Sequence, residues 1–284
     1  MKGNWFTQVG WRHAVAWVAV AFSLIPIVFV VSSAFNPLGT LSSTSLLPAH
    51  GFSMSNLVKL FETTNFGQWY LNTLMIAGVA SAVSIFISAL AAYAFSRFRF
   101  RGRRVSLLSL LLIQMFPQFL AIVAIFLIFT QVGQYWPQLG FNTWSGLILV
   151  YLGGALGVST WLMKGFFDTI PKELDESATM DGASHNQIFF RIILPLVTPI
   201  LAITGLLAFI GMVNEYIIAS VFLTSSSDKT LAVGLVGMVA ANTREAQFGM
   251  FCAGTLLTAI PTVGVFMFLQ RYIVHGLTGG AVKG

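Results

Sequence analysis

Glu176–Pro195 reads ESATMDGASHNQIFFRIILP, a polar, glycine-broken stretch between two apolar runs. Pro171, just upstream, can open a helix, because the first helical residue needs no N–H donor. Glu173, Asp175 and Glu176 then fall in the first turns, where the helix dipole favours negative charge. Leu174 and Ala178 stand one turn apart on one face. Gly182 supplies the permissive backbone that a helix stop requires. Ser184 precedes Gln187 by three residues, the capping-box spacing that begins a second helix. Ile192 and Leu194 lead to Pro195 at the edge of the next apolar run. The stretch therefore predicts a helix–Gly–helix elbow whose first helix is short enough to enter a groove on a soluble partner. An ordinary amphipathic loop is the plainer alternative.

The surrounding chain says what the elbow is mounted on. It has 284 residues, 56% hydrophobic and only 8% charged, with a mean hydropathy of +0.83. A soluble chain of this length needs more charge to cover its surface. Apolar runs of about 20 residues recur instead, the length that crosses a hydrocarbon core of about 30 Å. The expected fold is an all-α polytopic membrane protein, one domain over residues 1–284 with six transmembrane helices. The spans fall at about Ala14–Val31, Leu71–Phe95, Ser106–Phe129, Ser145–Met163, Leu196–Leu223 and Phe248–Leu269. Lys2 and Arg12 precede the first as they would in a cleavable leader. Its apolar run, however, exceeds the roughly 7–15 residues of a leader and holds Pro26, which favours a retained helix.

Charge sets the orientation. With the N-terminus in the cytoplasm, twelve of the fifteen Lys and Arg residues face the cytoplasm. Only Lys59, Lys229 and Arg244 fall outside. The positive-inside rule then places both termini, and the elbow, on the cytoplasmic side of the membrane. The same distribution removes nucleic acid as the meaning of the net charge of +6. RFRFRGRR, Arg97–Arg104, reads as a cytoplasmic turn that fixes topology. Such a cluster attracts anionic lipid by about 1 kcal/mol per charge near the surface. Trp69, Tyr70, Tyr135, Trp136 and Trp144 fall near the outer ends of spans, the depth amphipathic rings prefer. Asn36–Gln68 and Thr224–Gln247 are the long outer segments, open to an extracytoplasmic partner or serving as connectors.

Within the spans, Gly78, Ser81, Ser84, Ser88 and Ala91 share one helix face, which should pack closely on another helix. Gln114, Pro117 and Gln118 interrupt the third span. Pro117 should kink it, and the amides suit either a water-lined path or an interhelical hydrogen bond. Glu215, between Asn214 and Tyr216, is the one acidic residue set deep in an apolar run. A charge at mid-bilayer costs about 2.5–3.5 kcal/mol, so Glu215 is either a hydrogen-bond anchor or a group on the transport path. Cys252, the single cysteine, lies in an apolar run and reads as a buried core residue.

Glu176-Ser177-Ala178, then Gly182, then Ile192, Leu194 and Pro195 reproduce the spacing of the EAA loop of binding-protein-dependent ABC importer permeases, with Ser177 in place of an Ala. Asp181-Gly182-Ala183 matches its extended form. Asn214-Glu215-Tyr216, the run LAVGL from Leu231 to Leu235, and the ending LQRYIVHGLTGGAVKG resemble the sugar-importing, maltose-type (MalG-like) branch. The resemblance covers most of Gln68–Gly284. It implies a type I ABC importer permease fold with a core over about residues 68–275, a coupling loop over 171–195 and a tail over 276–284. It implies that Glu176, Ser177, Ala178, Asp181, Gly182, Ala183, Ile192, Leu194 and Pro195 form the coupling loop, its helix seated in an ATPase subunit. The implied partners are a second (MalF-like) permease, an ATPase homodimer and an extracytoplasmic sugar-binding protein, the last met by Ala240, Ala241, Asn242, Thr243 and Arg244. The implied cargo is maltose, a maltodextrin or a related oligosaccharide, with a non-sugar solute such as a glycerol phosphate derivative as the alternative. Gln114, Gln118, Asn214, Glu215 and Tyr216 are the candidates for the translocation path.

Other classes fit less well. An ion-coupled secondary transporter usually shows repeated halves and several intramembrane charges, and neither is visible here. An intramembrane enzyme needs convergent reactive groups, whereas His13, His50, His185 and His275 are scattered and no metal-ligand spacing occurs. No G-x-x-x-x-G-K-[ST] loop is present, so no cofactor is expected on this chain and ATP–Mg belongs to the partner ATPase.

Overall fold

The computed structural model describes residues 9–47, 50–240 and 242–281. In chain order the helices are α1 (Trp11–Ala34), α2 (Ser55–Thr63), α3 (Phe66–Arg97), α4 (Arg103–Met115), α5 (Ile122–Tyr135), α6 (Trp144–Gly153), α7 (Val158–Asp168) and α8 (Glu173–Met180). They continue as α9 (His185–Leu196), α10 (Thr198–Val213), α11 (Ile217–Phe222), α12 (Leu231–Met238) and α13 (Arg244–Ala281). No strand occurs among the described residues.

The spans expected from hydropathy take three forms. α1, α3 and α13 are unbroken and long and apolar enough to cross a membrane. The fourth is a bent pair, α6 and α7 meeting at 56° across the glycines 153, 154 and 157. The fifth divides twice: α9 and α10 bend by 76° at Val197, and the apolar run stops again at Asn214–Tyr216. The third, expected as one kinked helix, is two shorter helices. α4 stops at Met115, Phe116 turns extended as a residue before proline prefers, and a 3-10 turn over Gln118–Ala121 leads into α5. Pro117 thus breaks this helix rather than bending it.

Contacts divide the chain into two compact units, one of residues up to Gly67 with Gly234–Ile260, the other of Gln68–Val233 with the residues from Pro261. The first is organised around Asn56, which is 2% exposed. Its Nδ2 donates to the carbonyls of Ala34 (3.0 Å) and Asn36 (2.8 Å), fixing the end of α1 to α2. The Gly249 amide donates to Gly39 O at 2.9 Å, and a Cβ on Gly249 would lie 2.8 Å from the Gly39 Cα. The segment after α1 is therefore a folded knot, not a slack connector.

In the second unit α3 is the central helix. Ser81, Ser84 and Ser88 of its small-residue stripe are buried, and Ser88 Oγ donates to Ala155 O at 2.7 Å in the α6–α7 break. A Cβ on Gly205 would sit 2.9 Å from Ile85 Cδ1, so α10 comes close to α3 there. In lipid such close approach, rather than release from water, holds helices together. One core joins Ile76 and Leu147 to Ala219, Phe222 and Val233. Another joins Tyr93 of α3 and Met163 and Phe167 of α7 to the residues around α8 and α9. That second core carries the elbow.

Candidate functional site

The elbow takes its shape from local signals. α8 begins at Glu173, two residues beyond Pro171, which lies in the entering turn rather than in the first helical position. Glu173, Asp175 and Glu176 occupy its first turn. It ends in a Schellman motif: the Gly182 amide donates to Thr179 O (3.0 Å) and the Ala183 amide to Ala178 O (2.9 Å). Gly182 has φ +83°, the left-handed conformation that this stop requires. Ser184 and Gln187 close the expected capping box, the Ser184 amide donating to Gln187 Oε1 at 2.8 Å. α9 then widens into a π-helical turn over Ile188–Ile193 ahead of Pro195. The wide turn accommodates a proline ring that would clash with the carbonyl four residues back in a regular helix.

Burial divides the motif by face. Ala178 is buried in the core with Ile188, Phe189 and Ile193, Ala183 packs against that core, and Ile192 and Leu194 pack at its margin. Glu176, Ser177, Asp181, Gly182 and Pro195 are exposed, and Met180 is 88% exposed. Leu174, one turn before Ala178, is 42% exposed. The buried positions fix the elbow to α3 and α7, and the exposed ones present a short polar helix outward. A cavity of about 520 Å³ opens beside it, lined by Tyr93, Arg97, Lys172, Glu176 and His185 among others.

Arg97, which the sequence places in a topology-setting basic cluster, also belongs to this site. Its Nε lies 2.5 Å from Asp175 Oδ2, and its Nη2 donates to Ile170 O at 3.1 Å. Burial lifts the Asp175 carboxyl above the ordinary aspartate range, and the Arg97 guanidinium only partly draws it back. Next to Arg97, Ser96 Oγ donates to Asp168 Oδ1 at 2.6 Å. No sequence pattern pairs these residues; only the run of acidic residues opposite a basic turn hints at it.

The residues considered for a path lie in two places. The Gln114 side chain packs on Gly157, where a Cβ would meet its Nε2 at 2.4 Å. Gln118 lies in the 3-10 turn after Pro117. At the other place, the Glu215 carboxylate accepts from Tyr151 Oη (2.8 Å) and from the amides of Ile218 (2.8 Å) and Ala219 (2.9 Å). It thereby caps α11 and ties that helix to α6. Asn214 donates to its own helix at Ile210 O, and Tyr216 is 40% exposed. Tyr151 is a partner that sequence reading missed. A tyrosine inside the apolar run of α6 was the only signal for it.

On the remaining segment, Ala240, Asn242 and Arg244 are exposed, and Ala241 lies outside the described residues. Thr243 Oγ1 donates back to Met238 O at 3.1 Å, closing the turn into α13. Of the tail, Ala281 ends α13 and residues 282–284 lie outside the described residues.

A family model described as the binding-protein-dependent transport system inner membrane component matches residues 84–279. The chain is 40% identical over 262 residues to the galactooligosaccharides transport system permease protein GanQ of Bacillus subtilis, covering 91% of this chain and 90% of that protein. It is 38% identical over 284 residues to the maltose/maltodextrin transport system permease protein MalG of Vibrio vulnificus, covering 96% and 95%. It is 41% identical over 261 residues to the maltodextrin transport system permease protein MalD of Streptococcus pneumoniae, covering 92% and 90%. Among solved structures it resembles a chain of a bacterial ABC transporter involved in the import of the acidic polysaccharide alginate. That likeness has a TM-score of 0.78 at 24% identity over 96% of this chain and 99% of that one, and is one of fold.

Proposed function

The chain belongs to the family of binding-protein-dependent transport system inner membrane components, and from that premise we propose that it is a permease subunit of an ATP-driven importer of maltose, a maltodextrin or a related oligosaccharide. The named relatives are permease proteins of galactooligosaccharide, maltose/maltodextrin and maltodextrin transport systems, which supports this class of cargo. The chain forms the translocation path with a second permease. It hydrolyses no ATP itself and is driven by a separate ATPase dimer, on which ATP–Mg sits.

The observation that carries the reading is the two-faced elbow. Ala178 and the π-helical turn are rooted in the core of α3 and α7, while Glu176, Ser177, Asp181 and Gly182 are offered to a partner. A short helix, closed at its end by the Schellman motif and held this way, seats in a groove of the ATPase subunit. The core passes the movement of that seat to the spans. Both termini and the elbow face the cytoplasm, in keeping with the placement of Lys and Arg. The exposed turn at Ala240, Asn242 and Arg244 faces a sugar-binding protein on the other side. Glu215 serves as an anchor, because its acceptor oxygens are occupied by Tyr151 and the start of α11.

The test is Gly182→Asp in the reconstituted complex. No atom lies within 4 Å of a Cβ at Gly182, so inside this chain the side chain meets only backbone strain. In the complex it enters the docking surface. Uptake driven by ATP is expected to fall to background while the subunit still inserts. Wild-type uptake by this variant would remove the coupling role, and ATP hydrolysis by the purified subunit alone would remove the division of labour. Stimulation of the complex's ATPase by individual sugars, with the binding protein that co-purifies, identifies the cargo.

A further inference from the structure

Two consecutive residues at the end of α3 hold the connector between α7 and α8. Ser96 binds Asp168 at the last residue of α7, and Arg97 binds Ile170 O and Asp175 beyond it. The Arg97 side chain is 5% exposed and that of Asp175 18%. In the same basic run, Arg99, Arg101 and Arg104 are exposed. Arg97 is thus turned inward, to the connector that leads from α7 into the elbow.

The pair is not arranged for stability alone. Arg97 Nε and Nη1 and Asp175 Oδ1 are buried and without a hydrogen-bond partner among the described residues, so Nε meets Asp175 Oδ2 as an ion pair rather than through an aligned hydrogen bond. A buried ion pair with unfilled valences adds little to stability, but it strongly penalises any geometry that separates the charges. Its physical effect is to permit one position of α8 against α3. Tyr93, one turn back on α3, packs against Phe167 and Phe189 at ring centroid distances of 6.3 and 5.0 Å and lines, with Arg97 and Asp175, the cavity beside the elbow.

We propose that Arg97 is a positioning residue that locks α8 to the end of α3, so that a displacement of the elbow is carried into α3 as one rigid body. The inference rests on the coupling role of the elbow given above and adds the route by which the motion leaves it. Without the lock, α8 follows its ATPase groove while α3 stays behind, and hydrolysis no longer moves solute.

The experiment uses the complete transporter in proteoliposomes, with its partner permease, ATPase and binding protein. Cys252 is the only cysteine of this chain, so Cys252→Ser with Glu173→Cys and Arg99→Cys places one spin label at the start of α8 and one beside the end of α3, while transport is read in the unlabelled chain. The label-to-label distance is expected to be the same with and without bound nucleotide. In Arg97→Ala it is expected to change between the two states, and solute moved per ATP should fall by at least about fivefold, within the range that single coupling residues produce. A nucleotide-dependent distance in the otherwise wild-type chain overturns the proposal, as does a wild-type transport ratio in Arg97→Ala. Gly182→Asp, run alongside, separates the two ideas. If it too transports normally, the coupling reading itself fails; if it uncouples while Arg97→Ala does not, only the lock fails. Should Arg97→Ala not assemble, Asp175→Asn takes its place, since it removes the charge that Arg97 meets while keeping the side chain's shape; a wild-type ratio in that variant counts against the lock.

Discussion

Replacing Glu215 probes whether a carboxylate in an apolar run is an anchor. Its two bonds to the Ile218 and Ala219 amides form the cap of α11. Loss of a side-chain cap costs about 0.5–2 kcal/mol. Its third bond, from Tyr151, joins α6 to α11. Hydrogen bonds between membrane helices average about 0.6 kcal/mol and reach about 1.7. Glu215→Ala should therefore destabilise the subunit by about 1–4 kcal/mol and Tyr151→Phe by about 0.6–1.7. The double variant should be little worse than Glu215→Ala, because the phenol has already lost its acceptor. The interaction energy of the cycle is then about 0.6–1.7 kcal/mol. Reversible unfolding in mixed detergent–SDS micelles, followed by tryptophan fluorescence, measures all four corners. Additive losses from the two single variants, or a Glu215→Ala cost under about 0.5 kcal/mol, would refute the anchor.

Further expectations concern the backbone. Gly182→Ala should cost about 1–2 kcal/mol, the penalty of a left-handed residue bearing a Cβ, and Gly182→Asn less; thermal unfolding of the purified subunit compares them. A Cβ on Gly146 would lie 2.6 Å from the carbonyl oxygens of Leu139 and Gly140, both backbone and unable to yield cheaply. Gly146→Ala should thus lower stability by about 1–3 kcal/mol in the same assay, as overpacking does, and an unchanged midpoint would contradict that packing. Asn142 stands at φ +58° and its Oδ1 accepts from the amides of Thr224 (2.8 Å) and Ser225 (3.1 Å). Asn142→Asp keeps the acceptor and should be tolerated, whereas Asn142→Ala should make the Thr224–Lys229 segment sensitive to limited proteolysis.

Much of the candidate site was legible because its signals are local. The acidic first turn, the left-handed glycine and the Ser184–Gln187 box each act within a few residues, where the chain's own geometry decides the outcome. The one local misreading was Pro171, which steers the chain into the turn before α8 instead of starting the helix. The third span was misjudged for a related reason. Proline forces extended backbone on Phe116 as well as removing a donor, and α4 and α5 are too short to bridge the gap as one rod.

By itself the sequence determined the membrane class, the place of each apolar run and the form of the elbow, since hydropathy, charge and capping are properties of short windows. Only the tertiary structure decided what the elbow is fastened to and what Glu215 does. Arg97 meets Asp175, Ser96 meets Asp168 and Tyr151 meets Glu215 across separations of 64 residues and more. An arginine in a run of arginines carries the same local signal whether it faces lipid headgroups or a buried carboxylate. Which of the two it meets depends on how closely the small residues of α3 let neighbouring helices approach, and that is a property of the packed bundle.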